Sequence, residues 1–341
     1  MKFLRKFCPL VIGAVFFIAG LLKLMDPVGA GLVVEEYFKF LHIGFLRPAA
    51  KVTGAALAFV ECALGAALIT RVWSRVVAIA SGVFLGFFTL LTLVLLIFNP
   101  SMDCGCFGEA VHLTHFQSFI KNVILCGLWA VAFLPLRPDA EVMKVKYVSF
   151  AVTVLSVALF ALYSSLSIPL QDFTPYKPGA ALEDTPMSFT DAYGQYCDSL
   201  ATDGDALAVS VYDLDKLSSK EWMKVSALLS DAYAAGFETL LLVSGTPEQL
   251  ESAVSDPSLL MSAYFADRRT LLTLNRSDGG ATLISDGQII SKWSIRSLPD
   301  SGELLDIASK NPTETMLRNT SGDRLRLQAF LLYVFAVMLL L

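Results

Sequence analysis

Five apolar runs fill the first half of the chain, at residues 7–25, 52–69, 76–98, 116–136 and 147–168. A membrane span needs about 20 such residues, because the hydrocarbon core is roughly 30 Å thick and a helix rises about 1.5 Å per residue. Each run therefore predicts a transmembrane helix, and the short polar loops between them force neighbours to run antiparallel. A sixth run, 327–341, is shorter and predicts either a closing span or a helix at the outer interface. Lys2, Arg5 and Lys6 precede the first run as they would in a signal peptide. No small-residue cleavage pattern follows, so the reading is an uncleaved first helix.

Beyond residue 170 the pattern changes. Residues 171–196 carry Pro175, Pro178, Gly179 and Pro186 without sustained periodicity, which predicts an extended linker over about 171–200. From Ala206 the pattern becomes compact α/β: strand 206–212, helix 219–235, strand 239–243, helix 247–255 and a hairpin of strands 281–285 and 288–293. Thr246 is a natural N-cap with Pro247 at the first helical position. Asp286-Gly287 is a strong tight-turn signal for the hairpin. This order is the layout of a thioredoxin-like domain over 201–312. A redox-active thioredoxin carries CxxC after the first strand, where a helix N-terminus lowers a cysteine pKa. Here that stretch is Asp213 to Ser219, without cysteine, and Asp278-Gly279-Gly280 stands where a cis-proline precedes the hairpin. The domain is therefore a degenerate one, able to bind or position a partner but not to exchange disulfides by the usual pair.

Orientation follows from Lys and Arg in the short loops. The residues before the first span, Arg71 and Arg75 after the second, and Arg137, Lys144 and Lys146 after the fourth mark the cytoplasmic side. Loops 26–51 and 99–115 then face outward, as does the chain from 170 to about 323. Arg318, Arg324 and Arg326 would lie on the outer side of the sixth run, against the charge rule. The fold class is an all-α transmembrane bundle, with a four-helix core in 1–140 and a tether helix in 141–170. The extracytoplasmic α/β domain follows, with a further helix in 324–341. Composition agrees: 55% of the 341 residues are hydrophobic and 17% charged, with a mean hydropathy of +0.61. The lipid bilayer is the expected surrounding, in a bacterial inner membrane. A net charge of −5 and the lack of a basic patch exclude a nucleic-acid surface.

Candidate chemistry concentrates in Asp103-Cys104-Gly105-Cys106-Phe107-Gly108, between the third and fourth spans. Two cysteines at i and i+2 pair only across a turn, which Gly105 permits. An exposed, strained disulfide is more oxidising than a structural one and suits a disulfide donor. The alternatives are a permanent staple, or a metal site that His112 and His115 would have to complete. Cys62 and Cys126 fall inside spans and read as apolar fillers. Cys8 lies at the cytoplasmic end of the first span. Cys197 is a lone outward thiol that can pair with a partner or reach the CxC loop. Inside the bilayer, Glu61 requires a partner, and Lys23 can extend toward Glu61 or Asp26. That polar site is either a lock between helices or a pocket beneath the loop that handles thiol protons or holds a quinone head group.

The first four spans resemble the DoxX-like family, and within it methylamine utilisation protein MauE. The resemblance rests on Ala19-Gly20-Leu21-Leu22-Lys23-Leu24-Met25-Asp26-Pro27, on Glu61 followed by Gly65, and on Asp103 to Gly108, over about 7–136. Further on, Ala266-Asp267, Leu271, Arg276-Ser277, Gly287 and Lys292-Trp293 resemble a DoxX-like subgroup with an appended thioredoxin-like domain. Asp278-Gly279 departs from the Asn-Pro of that pattern. The resemblance implies a role in maturing extracytoplasmic proteins by helping to form their disulfides. Two function classes follow. One is a membrane thiol–disulfide oxidoreductase in which Cys104 and Cys106 cycle while the outer domain presents a client protein or thiol partner. The other is a non-catalytic scaffold with a structural CxC disulfide, whose outer domain recruits a partner.

Overall fold

The structure, a computed structural model, describes residues 2–134, 143–254 and 256–340. Arg137, the end of the fourth run at Leu136, Ser255 and Leu341 lie outside the described residues. The chain divides into two compact units, a membrane unit up to Ser165 that includes the segment from Leu327 onward, and an outer unit over Leu166–Arg326.

Five helical segments of the membrane unit are long and apolar enough to cross a membrane: Phe3–Met25, Gly44–Thr70, Ser74–Phe98, His115–Phe133 and Lys144–Leu166. They correspond to the five apolar runs. The helices of this unit are α1 (Lys2–Met25), α2 (Pro27–Phe40), α3 (Ala50–Thr70), α4 (Ser74–Phe98), α5 (His115–Phe133) and α6 (Lys144–Leu166). α1 and α3 pack closely because their facing residues are small. A Cβ on Gly65 would lie 2.5 Å from the Phe17 nitrogen, and one on Gly20 2.5 Å from the Ala58 oxygen. α4 and α5 are joined by Trp129, whose indole donates to the Ala78 carbonyl (2.9 Å) and whose ring occupies the space a side chain at Gly82 would take.

The 26–51 stretch is more ordered than an outward loop. Asp26 caps α2 by accepting from the Gly29 amide at 2.9 Å, with Pro27 at the first helical position, and α2 returns along α3. The C-terminal segment belongs to a longer helix than expected, α12, over Pro312–Leu340. Phe330 stacks on Phe160 with centroids 4.6 Å apart, and the Val337 carbonyl accepts from Ser149 Oγ at 2.7 Å. These two pairings run the segment antiparallel along α6.

The outer unit is built on a mixed sheet. Its strands are β2 (Phe189–Thr190), β3 (Asp205–Val211), β4 (Glu238–Val243), β5 (Ala263–Ala266), β6 (Gly280–Ser285) and β7 (Gln288–Trp293), in the order β2-β5-β4-β3-β6-β7. β3, β4 and β5 are parallel, and β6 and β7 form an antiparallel hairpin on β3. Asp286 and Gly287 both have positive φ, as the two-residue turn requires. α7 (Ser219–Ala234) and α8 (Pro247–Ala253) start at Ser218 and Thr246, each with a full capping box. Short helices α9 (Pro257–Met261), α10 (Arg268–Leu274) and α11 (Ser301–Ala308) complete the layers. One core lies between β3/β4 and α7, around Leu207, Val225, Leu228 and Leu241. The other face carries Ala208, Leu240, Leu242 and Leu271.

The 171–200 stretch is not an extended linker. Tyr176, Leu182, Met187 and Phe189 are buried in that second core, and β2 pairs with β5. Its prolines break helices, but its apolar residues find a sheet face to cover, which local composition does not report.

Candidate functional site

The CxC loop sits between two helix ends that fix it. α4 ends at Asn99, in the left-handed region, and α5 begins at Thr114 with a capping box to Gln117. Between them Gly105 and Gly108 both have φ of +61°, and the Gly108 amide closes back on the Gly105 carbonyl at 3.2 Å. A side chain at Gly105 would be strained and would also strike Val33 of α2, at 2.3 Å from its Cγ1. Tyr37, one helical turn further on, donates its hydroxyl to the Cys104 carbonyl at 2.9 Å. A short extended segment, β1 (Cys106–Glu109), follows.

The two cysteines are free thiols in unlike surroundings. Cys104 is buried, 5% exposed, and Cys106 is half-buried. The sulfur of Cys104 lies 3.0 Å from His115 Nδ1, while His115 Nε2 lies 3.0 Å from the Pro100 carbonyl. A carbonyl only accepts, so Nε2 carries its proton and Nδ1 is left facing the thiol as a base. Burial raises the Cys104 pKa above the ordinary thiol value, and the charges of Cys106 and Asp103 add to the rise; the Ser118 hydroxyl and the Lys121 charge oppose it. The site thus keeps Cys104 protonated until a base takes the proton, and the base is in contact.

His112 turns the other way, to Asp103 at 3.1 Å on the exposed rim. His112 therefore does not join His115 at the cysteines, and among the described residues no group of three or more His, Cys, Asp or Glu side chains is arranged to hold a metal ion.

Lys23 and Glu61 meet beneath the loop. The ammonium lies 2.7 Å from both carboxylate oxygens, with side chains only 12% and 8% exposed. A buried charge of either sign is costly alone, and the pair satisfies both. Asp26, three residues after Lys23, is buried and caps α2. Lys121 of α5 holds its ammonium 5.0 Å from the Phe107 ring centroid. Of the remaining cysteines, Cys62 is buried with its thiol directed to the Phe17 carbonyl, and Cys126 lies 3.4 Å from Thr89 Oγ1 between α4 and α5. Cys8 is buried. Cys197, in the outer unit, directs its thiol to the Gln195 carbonyl at 3.4 Å.

A cavity of about 280 Å³ joins these groups inside the membrane unit. Cys104, Gly105 and Cys106 line one wall, Lys23, Glu61 and Tyr37 lie along it, and Phe38, Phe84, Phe87 and Phe88 supply much of the rest. Tyr37, Lys121 and His115 in its thiol-binding role are the residues sequence reasoning did not assign to the site. Asp26-Pro27, read as a cap followed by a first-turn proline, is the signal that would have revealed α2 and with it Tyr37.

Neither the curated proteins nor the solved structures compared with this chain include a match. The family comparison does find one: residues 1–135, from the first helix through α5, match the family of methylamine utilisation protein MauE.

Proposed function

We propose that the protein is a membrane thiol–disulfide oxidoreductase whose exchanging pair is Cys104 and Cys106. The contact between the Cys104 sulfur and His115 Nδ1 carries this reading. A staple needs no base beside its thiol, whereas an exchanging pair needs a route for the proton. In the forward step a client thiolate attacks Cys106, the more accessible sulfur, and displaces Cys104, which takes a proton from protonated His115. A second client thiolate then attacks the client sulfur and releases Cys106. One client disulfide forms, the loop disulfide is reduced to two thiols, and the protons of the client thiols are matched by those taken up in the loop.

The positive-inside charges support an extracytoplasmic loop and an extracytoplasmic outer unit in a bacterial inner membrane. In that unit the β4-β3-β6-β7 order, two parallel strands followed by an antiparallel hairpin, supports a thioredoxin-like core. Its segment from Asp213 to Ser219 has no cysteine, so its role is to hold a client protein rather than to exchange with it.

Trapping tests the assignment. Cys104→Ala leaves Cys106 without a neighbour to resolve it, and membranes quenched in acid should then show a mixed disulfide on a non-reducing gel. Cys106→Ala should trap far less, because Cys104 is buried. Structural disulfides have potentials below about −300 mV, and the loop should lie well above that. No trapped species in either variant, together with a potential in the structural range, would overturn the proposal in favour of a scaffold.

A further inference from the structure

We infer that the cavity behind the CxC loop is a binding site for a quinone-class oxidant that enters from the lipid and re-forms the loop disulfide; this rests on the exchange reading above. Three observations point to one kind of occupant. The cavity wall contains Cys104, Gly105 and Cys106, so its occupant meets the dithiol directly. Its other walls are mainly aromatic and aliphatic, and one of the residues lining it, Phe87 of α4, is also 58% exposed on the outside of the bundle. Exposure at the flank of a transmembrane helix is exposure to lipid, so the opening admits a lipid-soluble molecule. At about 280 Å³ it falls just under the usual range for small-molecule pockets, a size for one ring with a tail left in the bilayer.

The polar groups select among lipid-soluble rings. Lys23 is neutralised by Glu61, and Asn122 Nδ2 is engaged with the Phe88 carbonyl and Thr92 Oγ1, at 3.2 Å each. Lys121 also lines the cavity, and among the described residues no carboxylate pairs with it. A positive charge in the lining of an aromatic chamber suits a ligand whose oxygen gains negative charge as it reacts. A quinone carbonyl does so on reduction, and its ring packs against Phe faces.

The step balances without another reactant. Two S–H bonds break and one S–S bond forms between Cys104 and Cys106. The two electrons pass to the quinone, and two protons end on its oxygens to give the hydroquinone, that of Cys104 leaving through His115.

The experiment uses the reduced full chain in nanodiscs free of quinone and oxygen, with decyl-substituted benzoquinone as the probe. Hydroquinone is followed by absorbance and loop thiols by alkylation shift. One hydroquinone per two thiols is expected. Leu91→Trp and Leu57→Trp, which fill the chamber from two helices, should each slow this reaction at least about tenfold. Val83→Trp, on the exposed side of the same helix as Leu91, should not. Equal rates in all of these variants and the wild type would place the reaction outside the cavity and overturn the inference. Diamide, a water-soluble thiol oxidant, separates the two levels of argument. If diamide closes the wild-type disulfide and the quinone does not, the cavity assignment fails and the exchange reading stands. If neither closes it, the exchange reading fails first.

Discussion

Cys104 in the membrane unit and Asp278 in the outer unit are both acids whose pKa burial raises, and they differ in what lies next to the acidic group. Cys104 has His115 Nδ1 at 3.0 Å, aligned by the Pro100 carbonyl behind it. Asp278 accepts the Tyr212 amide on Oδ1 at 2.8 Å, while its Oδ2 is buried without a hydrogen bond. Burial pushes its pKa up to about 6, with the charge of Asp213 adding to the rise and the hydrogen bond from Tyr212 opposing it. A buried acid with a base in contact is ready for proton transfer; without one, its burial is a stability cost at neutral pH. The contrast matches the division of labour proposed here, chemistry in the membrane unit and binding in the outer one.

Breaking the charge balance beneath the loop should have the largest effect. Glu61→Ala leaves the Lys23 ammonium buried and unpaired, at an expected cost of about 3–5 kcal/mol, whereas Lys23→Met with Glu61→Leu should recover most of that loss. Thermal denaturation of the four proteins in one detergent reads the coupling, and simple additivity would remove the pairing from the account.

His115→Ala sharpens the comparison by giving Cys104 the surroundings of Asp278. Exchange with a small disulfide should slow by about 10²-fold or more, the usual contribution of a positioned base. Added imidazole should restore part of the rate, which a purely structural loss would not allow.

Asp278→Asn should do the opposite and stabilise. A folded pKa of about 6 against an ordinary carboxylate value means the folded state binds more protons than the unfolded one between about pH 4 and pH 6. The penalty is absent below that window, grows as pH rises through it and is complete above about pH 6. The asparagine variant should therefore gain about 1–3 kcal/mol at pH 8 and nothing near pH 4. Hydrogen exchange of β3 and β6 amides, each variant against wild type at the same pH, measures it, and an equal gain at both values would exclude titration as the cause.

The membrane unit was largely legible because a span declares itself by length and hydrophobicity alone, needing no knowledge of its neighbours. The two strands of the outer hairpin and the capped start of α8 were legible for a similar reason, since Asp286-Gly287 and Thr246 act through bonds within a few residues. β5 and β2 were not. Each is short, and each exists because it pairs with a strand distant in sequence. The packed 171–200 stretch was missed because turn-rich composition describes the path of a chain and not the surface it covers.

The site divides along the same line. From the amino acids alone came the two cysteines in a turn between spans, and the need of Glu61 for a partner such as Lys23. Both follow from the cost of charge in hydrocarbon and from the freedom of glycine, which are properties of the residues themselves. Only the tertiary structure decided that Asp26 caps α2, and that His115 rather than His112 meets a sulfur. Only it put Tyr37, Lys121 and five phenylalanines around the same cavity. Those are contacts between helices, and a contact is fixed by how two surfaces pack, which neither sequence segment carries by itself.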